Sequence, residues 1–317
     1  MKRIALTLAF LAATALVFPG FTFSSDYPTR PITYTIPFDP GGQSDLEARR
    51  QQPHLEKALN TSIVVQYKPG GGGSLAWSEL VRQRPDGYNI AAINIPHIIL
   101  QPLARGDAGY TTEQIEPVAF FQATPIGLAV MKESPFQTLG DLVAHAQNNP
   151  GAVVLTGSGT WSGHHVANLQ FQDMIGSQMT YVPQTGAAPA VAALLGGHAQ
   201  GMWGNSNDLV QHEDKIRVLA FATKEPFFAM PDVPTFISKG YDLLASIDRG
   251  LGVPPGTPAE RIALLEKVFL EIATNPEIIE TMKNEGYVPL AMGAEESKAY
   301  IQQMQQAWAP IVKKYNK

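Results

Sequence analysis

Three glycine-rich turns constrain the fold of this sequence most, because each lies between a predicted strand and a predicted helix. They occupy residues 40–44, 70–74 and 157–162. The strand before the first turn is indicated by alternating apolar side chains at Ile32 and Tyr34. Units of strand, loop and helix that recur along a chain predict an α/β fold with mostly parallel sheets.

The order of these units predicts two lobes. One group ends near residue 120 and a second group runs from 130 to 237, so the segments near 122–130 and 246–253 are predicted to cross between the lobes. The predicted strands lie at residues 32–38, 62–67, 88–94, 115–121, 126–132, 153–156, 179–182, 201–203 and 216–222.

Two helices contain features that predict a start or an interruption. Ser44 with Glu47 three residues later is a capping box, which predicts a helix that begins just after Ser44. Pro53 lies inside this helix and predicts a kink or a restart, because proline removes a backbone donor. Pro310 predicts a kink in a long amphipathic helix near the end of the chain.

Composition and motifs argue against several classes of function. The 23 Lys and Arg residues against 28 Asp and Glu give a net charge of -5, which disfavours nucleic-acid binding. The absence of cysteine excludes a disulfide scaffold, a thiol nucleophile and a cysteine-ligated zinc site.

The seven histidines contain no His-x-x-x-His pair, so no metal and no cofactor is expected. Phosphate-loop and nucleophile-elbow motifs are absent, so no catalytic residue is assigned and a non-enzyme is expected. A secreted α/β hydrolase stays as an alternative.

Residues 1–24 have the layout of a secretory signal peptide. A basic start precedes an apolar stretch from residue 4 to 17, and Pro19 with Gly20 then breaks any helix. The apolar stretch is shorter than the roughly 20 residues that span a membrane. Cleavage after Ser24 is predicted, with an uncleaved anchor as the alternative.

The three glycine-rich turns are also candidate anion sites. The first turn of a helix has unpaired N–H groups and a partial positive charge. Glycine lets those N–H groups approach a ligand closely, so a carboxylate or phosphate binds there without Lys or Arg. Two such helix starts from opposite lobes would clamp a diacid across a cleft. The alternative is that each glycine only serves a tight turn.

Short motifs from residue 27 to residue 258 occur in an order that carries a family resemblance. They are YPTRPI at 27–32, PFDPGGQSD at 37–45, KPGGGG at 68–73, PDGY at 85–88, PFQTLGDL at 135–142, TGSG at 156–159, GAAPA at 186–190, LLGG at 194–197, PDVPT at 231–235 and PPGTP at 254–258. In this order they resemble the Bug-type solute receptors of the tripartite tricarboxylate transporter class. Two departures stand out: Asp39 where many relatives have a small residue, and Gln200 where relatives often carry an Asp that meets an amino group.

The resemblance implies a bilobed, hinged, periplasmic receptor of type II-like fold, with two mixed or mostly parallel sheets flanked by helices. Residues 25–122 with 247–317 would form lobe 1, and residues 123–246 would form lobe 2. Such a monomer closes on a small di- or tricarboxylate or aromatic carboxylate and delivers it to the large and small integral-membrane subunits of a transporter. A binding protein of an ATP-driven importer is the further alternative.

The resemblance also implies a set of ligand-binding residues in each lobe. In lobe 1 they are Phe38, Gly42, Gln43, Ser44, Asp45, Asn94 and His97. In lobe 2 they are Ser158, Gly159, Ser162, His164, Thr185, Ala187 and Asn205.

The orientations of four side chains, those of Asp39, Trp161, Trp203 and Arg249, stay open at this stage. Arg249 either faces the cleft, where its guanidinium would fork onto a carboxylate, or is a surface residue paired with Asp248. Trp161 and Trp203 either stack on an aromatic acid or are ordinary core or rim residues. An Asp39 side chain that faced the anion site would repel the ligand.

Overall fold

The computed structural model describes residues 27–316, so the predicted signal peptide lies outside the described residues. Strands and helices alternate, which confirms the α/β class. In the first part of the chain they are β1 (Ile32–Ile36), α1 (Gln43–Leu59), β2 (Ile63–Tyr67), α2 (Ser74–Leu80), β3 (Asn89–Ile95), α3 (His97–Arg105), β4 (Glu116–Met131), α4 (Leu139–Asn148), β5 (Val154–Ser158) and α5 (Gly163–Ile175). In the second part they are β6 (Thr180–Gln184), α6 (Ala187–Leu195), β7 (Gly201–Asn205), α7 (Ser206–Gln211), β8 (Ile216–Phe221), β9 (Ser246–Val253), α8 (Ala259–Ala273), α9 (Pro276–Asn284), β10 (Val288–Met292) and α10 (Ala294–Tyr315). Within residues 27–316, no helix is long and apolar enough to cross a membrane.

The strands form one mixed sheet in the order β2-β1-β3-β9-β4-β7-β5-β6, with β8 and β10 paired to β4. β1 is parallel to β2 and β3, and β5 is parallel to β6 and β7. The pairs that involve β4 or β9 are antiparallel. We call β1–β3, β9 and β10 the first half of the sheet, and β5–β8 the second half.

Strand β4 joins the two halves. Its residues 116–125 pair with β9, whereas residues 126–130 pair with β7. The two strands predicted at 115–121 and 126–132 are therefore one continuous strand. The second predicted crossing, at 246–253, is β9, which pairs with β3 and with the first part of β4.

The first turn and the prolines differ from the sequence expectation. α1 begins at Gln43 with Gly42 as its N-cap, and Ser44 makes no capping bond. Asp45 serves the turn instead, because its carboxylate accepts a hydrogen bond from Gly41 N at 2.9 Å. α1 continues through Pro53 as one helix, so the predicted restart is wrong. Strand β10 was missed, since its short sequence contains Pro289 and its pairing with β4 is irregular.

Each half of the sheet packs on its own aromatic core. In the first half, Phe269 of α8 stacks on Phe121 with ring centroids 6.0 Å apart. In the second half, Trp203 stacks on Phe236 at 5.6 Å, and its Nε1 donates to Asn168 Oδ1 at 3.1 Å. Trp203 is fully buried in this core, so the alternative that it stacks on a ligand is wrong.

Truncating Phe269 is expected to destabilise the protein strongly. The ring is completely buried, and Phe269→Ala leaves a cavity between α8 and the sheet, which lowers the free energy of unfolding by about 3–5 kcal/mol. Urea denaturation measures this change. Phe228→Ala is the matched control, because Phe228 is 51% exposed and its loss should cost within about 0.5 kcal/mol. Equal effects of the two substitutions would contradict the assignment of Phe269 to the core.

Candidate functional site

A small cavity lies where strands of both halves end and helices begin. The space between the surrounding side chains is about 20 Å³, on the order of one water molecule, so the walls are close together. The cavity is lined by Phe38, Gly42, Gln43, Ser44, Asn94, His97, Ser158, His164, Ala187, Asn205, Ile247 and Arg249. Ile247 is the lining residue that the sequence analysis did not name.

Helix N-termini from both halves meet at this cavity. α1 starts beside it after Gly42, and α6 starts beside it after Gly186. Asn205, which lines the cavity, is the N-cap of α7 and ends β7. Because the first N–H groups of a helix are unpaired within the helix, these starts turn donors and partial positive charge toward a shared space.

Arg249 supplies the formal positive charge of the site. Arg249 is 95% buried, and Nη1 donates to Thr124 Oγ1 at 2.5 Å and to Ile247 O at 3.1 Å. Nη2 donates to Gln43 Oε1 and, at 3.4 Å, to Asn205 Oδ1. Within the described chain, Nε has no hydrogen-bond partner. Burial lowers the pKa of Arg249 to about 10, so the side chain stays charged at neutral pH.

The alternative of a surface Arg249 paired with Asp248 is wrong. The two residues are consecutive on β9, so their side chains leave opposite faces of the sheet. Asp248 instead accepts hydrogen bonds from Ser246 Oγ at 2.7 Å and from the hydroxyl of Tyr300.

Asp208 is a buried carboxylate at this site that the sequence analysis missed. It accepts hydrogen bonds from Gln43 Nε2 and from Asn205 Nδ2, the latter at 3.1 Å. Burial raises its pKa, while these two donors and the charge of Arg249 oppose the rise. The local sequence gave no signal, because an Asp in the first turn of a helix is common for structural reasons.

Two neutral histidines complete the polar lining. Ser158 N donates to His164 Nδ1 at 3.1 Å, so Nδ1 is an acceptor and the neutral ring carries its proton on Nε2. That Nε2 is buried without a hydrogen-bond partner in residues 27–316. Burial and the charge of Arg249 lower the pKa of His164 to about 3. Burial, followed by the neighbouring His164 ring and the charge of Arg249, holds the pKa of His97 well below its usual value.

Replacing His164 by Gln is expected to flatten the acid dependence of stability. Between about pH 6.5 and pH 3 the unfolded chain takes up a proton on His164 that the folded protein does not bind, so wild-type stability falls as the pH falls. His164→Gln should reduce proton uptake on unfolding by about one across this range. Urea titrations at a series of pH values measure the difference between wild type and variant. Coincident slopes would show that His164 is not held neutral.

Four predicted site residues lie outside the cavity lining. The Asp45 carboxylate accepts a hydrogen bond from Gly41 N in the first turn and another from the Tyr67 hydroxyl at 2.7 Å. Ser162 is the N-cap of α5, where its hydroxyl accepts from His165 N at 3.2 Å. The Thr185 hydroxyl donates to the carboxylate of Asp39, which therefore points toward this partner.

Gly159, the fourth of these residues, packs against the second glycine-rich turn. A Cβ atom at Gly159 would lie 3.0 Å from the Cα atom of Gly72. Gln101 Nε2 spans the same contact and donates to Thr160 O at 2.8 Å and to Trp161 O at 3.1 Å. The second glycine-rich turn therefore meets the third turn, and neither it nor Trp161 lines the cavity.

Comparison with known proteins identifies the family. The family model of the TctC proteins, described as the tripartite tricarboxylate transporter family receptor, matches residues 47–317. The chain belongs to this receptor family. The receptor is 27% identical to protein BugT of Bordetella pertussis, over 99% of this chain and 97% of BugT.

Solved structures agree with this assignment. The receptor superposes on the structure of a periplasmic transporter with a TM-score of 0.87 and 29% identity, covering 92% of this chain and 98% of that one. It superposes on the periplasmic binding protein BugD with a TM-score of 0.86 and 26% identity, covering 91% and 98% of the two chains. The fold is therefore that of the periplasmic binding proteins, and the receptor is a solute-binding protein, not an enzyme.

Proposed function

We propose that this receptor binds a small carboxylate between two lobes in the periplasm. Lobe 1 comprises residues 25–122 and 247–317, and lobe 2 comprises residues 123–246, with the division in β4. The receptor is exported by residues 1–24, acts as a monomer and delivers its ligand to the large and small membrane subunits of the transporter. The observation that carries the proposal is the charged Arg249 beside helix starts from both halves of the sheet.

The unpartnered polar atoms of the cavity include two donors, which favour an anion over a cation, and one acceptor, Asn94 Oδ1, which suits a ligand hydroxyl. Arg249 Nε and His164 Nε2–H are both buried donors that lack a partner in the described part of the chain. A buried donor without a partner costs free energy, and a ligand oxygen would relieve that cost. A carboxylate offers such oxygens together with the charge that opposes Arg249.

Closure is proposed from the hydrogen bonds that join the two lobes around the cavity. Gln43 of lobe 1 donates to Asp208 of lobe 2, and Thr185 of lobe 2 donates to Asp39 of lobe 1. A ligand that contacts both lobes stabilises a closed form, with a cavity wider than the roughly 20 Å³ of this arrangement, more than an open form, and only that difference shifts the population. The membrane subunits would then recognise the closed form.

A thermal-shift screen of mono-, di-, tri- and aromatic carboxylates tests the proposal. A ligand at about 100 times its dissociation constant should add about 2.7 kcal/mol to the free energy of unfolding. The amide of each active acid is the matched control, because it keeps the shape and removes the charge. A carboxylate that stabilises the receptor while its amide does not supports the proposal. No shift with any acid in the screen would contradict it.

A further inference from the structure

Asn94 contributes an amide oxygen without a partner to the wall of the candidate site. The residue lies near the end of β3 and is 99% buried. Its Nδ2 makes a long hydrogen bond of 3.5 Å to Ser44 Oγ, which directs the amide nitrogen toward the start of α1. Within residues 27–316, Oδ1 accepts no hydrogen bond. A buried acceptor without a donor costs free energy, so a ligand that donates to this oxygen gains affinity.

The strand pairing sets Asn94 beside Arg249. The two residues are directly opposite each other in the antiparallel pair of β3 and β9. Side chains in such a pair leave the same face of the sheet, with Cβ atoms about 4.5–5.5 Å apart. The unpartnered acceptor of Asn94 and the unpartnered Nε donor of Arg249 therefore belong to the same wall of the cavity. The narrow cavity shields both atoms here, so a ligand reaches them in the wider closed form.

Neither a carboxylate nor an ammonium group matches this donor and acceptor together. An ionised carboxylate only accepts hydrogen bonds, so its oxygens have no proton for Asn94 Oδ1. An ammonium group only donates, and the buried charge of Arg249 repels it. A hydroxyl group both donates and accepts, and it carries no charge. The wall formed by Asn94 and Arg249 therefore suits a hydroxyl group next to an anion.

Asp208 does not turn the site toward an ammonium group. Its carboxylate already accepts from Gln43 Nε2 and Asn205 Nδ2. The oxygens of the same two amides accept from Arg249 Nη2, so both amides are fixed between the two charges. Asp208 lies behind these amides and outside the lining described for the cavity.

We propose that Asn94 makes this receptor selective for 2-hydroxycarboxylates, the acids whose hydroxyl group is on the carbon next to a carboxylate. The carboxylate accepts from Arg249 Nε and His164 Nε2, and the hydroxyl donates to Asn94 Oδ1. Because Asn94 and Arg249 are opposite each other on neighbouring strands, the two ligand groups have to be neighbours as well. This inference rests on the proposed carboxylate function and names the class of acid.

Isothermal titration calorimetry with pairs of acids that differ by one hydroxyl group tests the proposal. The pairs are succinate with malate, glutarate with 2-hydroxyglutarate, and propionate with lactate. In each pair that binds the full receptor, we expect the hydroxy acid to bind about tenfold to 100-fold more tightly, because only this acid satisfies Asn94. The free amino acid aspartate, which has an ammonium group in place of the hydroxyl of malate, should bind no more tightly than succinate.

Two substitutions of Asn94 separate hydroxyl recognition from a structural role. Asn94→Leu keeps a similar size and removes the acceptor, so each hydroxy acid should bind with about the affinity of its partner acid. Asn94→Asp keeps an acceptor and adds a negative charge, so it should weaken both acids and retain the preference for the hydroxyl. A merely structural role would lower both affinities in Asn94→Leu and leave their ratio unchanged. Circular dichroism verifies that each variant is folded.

Asn168→Leu is the matched control, because Asn168 is a buried amide that accepts from Trp203 Nε1 and lies outside the cavity lining. Its affinity ratios should equal those of the wild type. Equal affinities within every pair for the wild type would overturn the inference, since an ordered water would then serve Asn94, and would leave the proposed carboxylate function intact. A preference for the hydroxyl that persists in Asn94→Leu, or aspartate that binds more tightly than malate, would also overturn it. Binding of no acid at all would overturn the proposed function and this inference together.

Discussion

Replacing Arg249 by methionine is expected to lower carboxylate affinity by about 100-fold or more, because the substitution removes the buried charge of the proposed carboxylate site. The same change leaves Asp208 buried without a nearby cation. Removing one partner from such a group of buried charges destabilises a protein by about 3–5 kcal/mol. Arg249→Met alone therefore combines a loss of binding with a loss of stability.

The double substitution Arg249→Met with Asp208→Asn separates these two effects. Asn keeps the shape of Asp208 and removes its charge, so the double variant should recover much of the stability lost in the single variant. Its carboxylate affinity should stay low. Calorimetric titration and urea denaturation measure the two quantities on the same preparations. Arg84→Met is the control for loss of an exposed arginine.

Recovered binding in the double variant would contradict the direct role of Arg249. It would show that the guanidinium acts only by balancing Asp208 and holding Gln43, and that the helix starts alone bind the carboxylate. Unchanged affinity in the single variant would contradict both roles.

The strand–loop–helix order was predictable because its signals are local. Alternation in β1 and glycine in the turns are read within a few residues. The union of two predicted strands into β4 was not predictable, since a continuous strand and two short strands share one sequence pattern. The predicted restart at Pro53 was wrong because a helix that packs along its whole length can tolerate an internal proline.

Part of the candidate site was also predictable from local signals. Gln43 and Ser44 follow a glycine turn, and Ser158 ends a strand, so their places near a helix start follow from sequence. Asp208 was missed because its role depends on Gln43, which lies 165 residues away in the chain. The face of the sheet from which the Arg249 side chain projects depends on the register of β9 against β3 and β4, which no local pattern specifies.

The glycine-rich turns divide into two physical roles that the sequence does not separate. The turns at 40–44 and 157–162 both reach the cavity, the latter through Ser158, whereas the turn at 70–74 meets the turn at 157–162. Both roles require glycine for close approach, in one case to a ligand and in the other to a second backbone. From the contact between Gly72 and Gly159 we propose that these two glycines act on the proposed closure more than on contact with a ligand.

Replacing Gly159 by valine is expected to weaken carboxylate binding by about tenfold to 100-fold through hindered closure. A Cβ at this position lies 3.0 Å from Gly72 Cα and 3.2 Å from Gly72 N, and backbone atoms yield less readily than the far end of a flexible side chain. Gly159→Ala should give a smaller loss than Gly159→Val, because the clash grows with the side chain. The affinity falls because a smaller fraction of the receptor reaches the closed form.

Small-angle scattering distinguishes hindered closure from loss of a ligand contact. With saturating ligand, wild type should become more compact, and Gly159→Val should stay extended at a ligand concentration that closes the wild type. Gly140→Val is the matched control, since a Cβ there meets only Thr138 Oγ1, at 3.6 Å, away from the cleft. If Gly159→Val binds weakly yet compacts fully, Gly159 contacts the ligand directly and the closure argument fails. If its affinity equals that of Gly140→Val, the two turns separate freely in the closed receptor, and their contact has no part in closure.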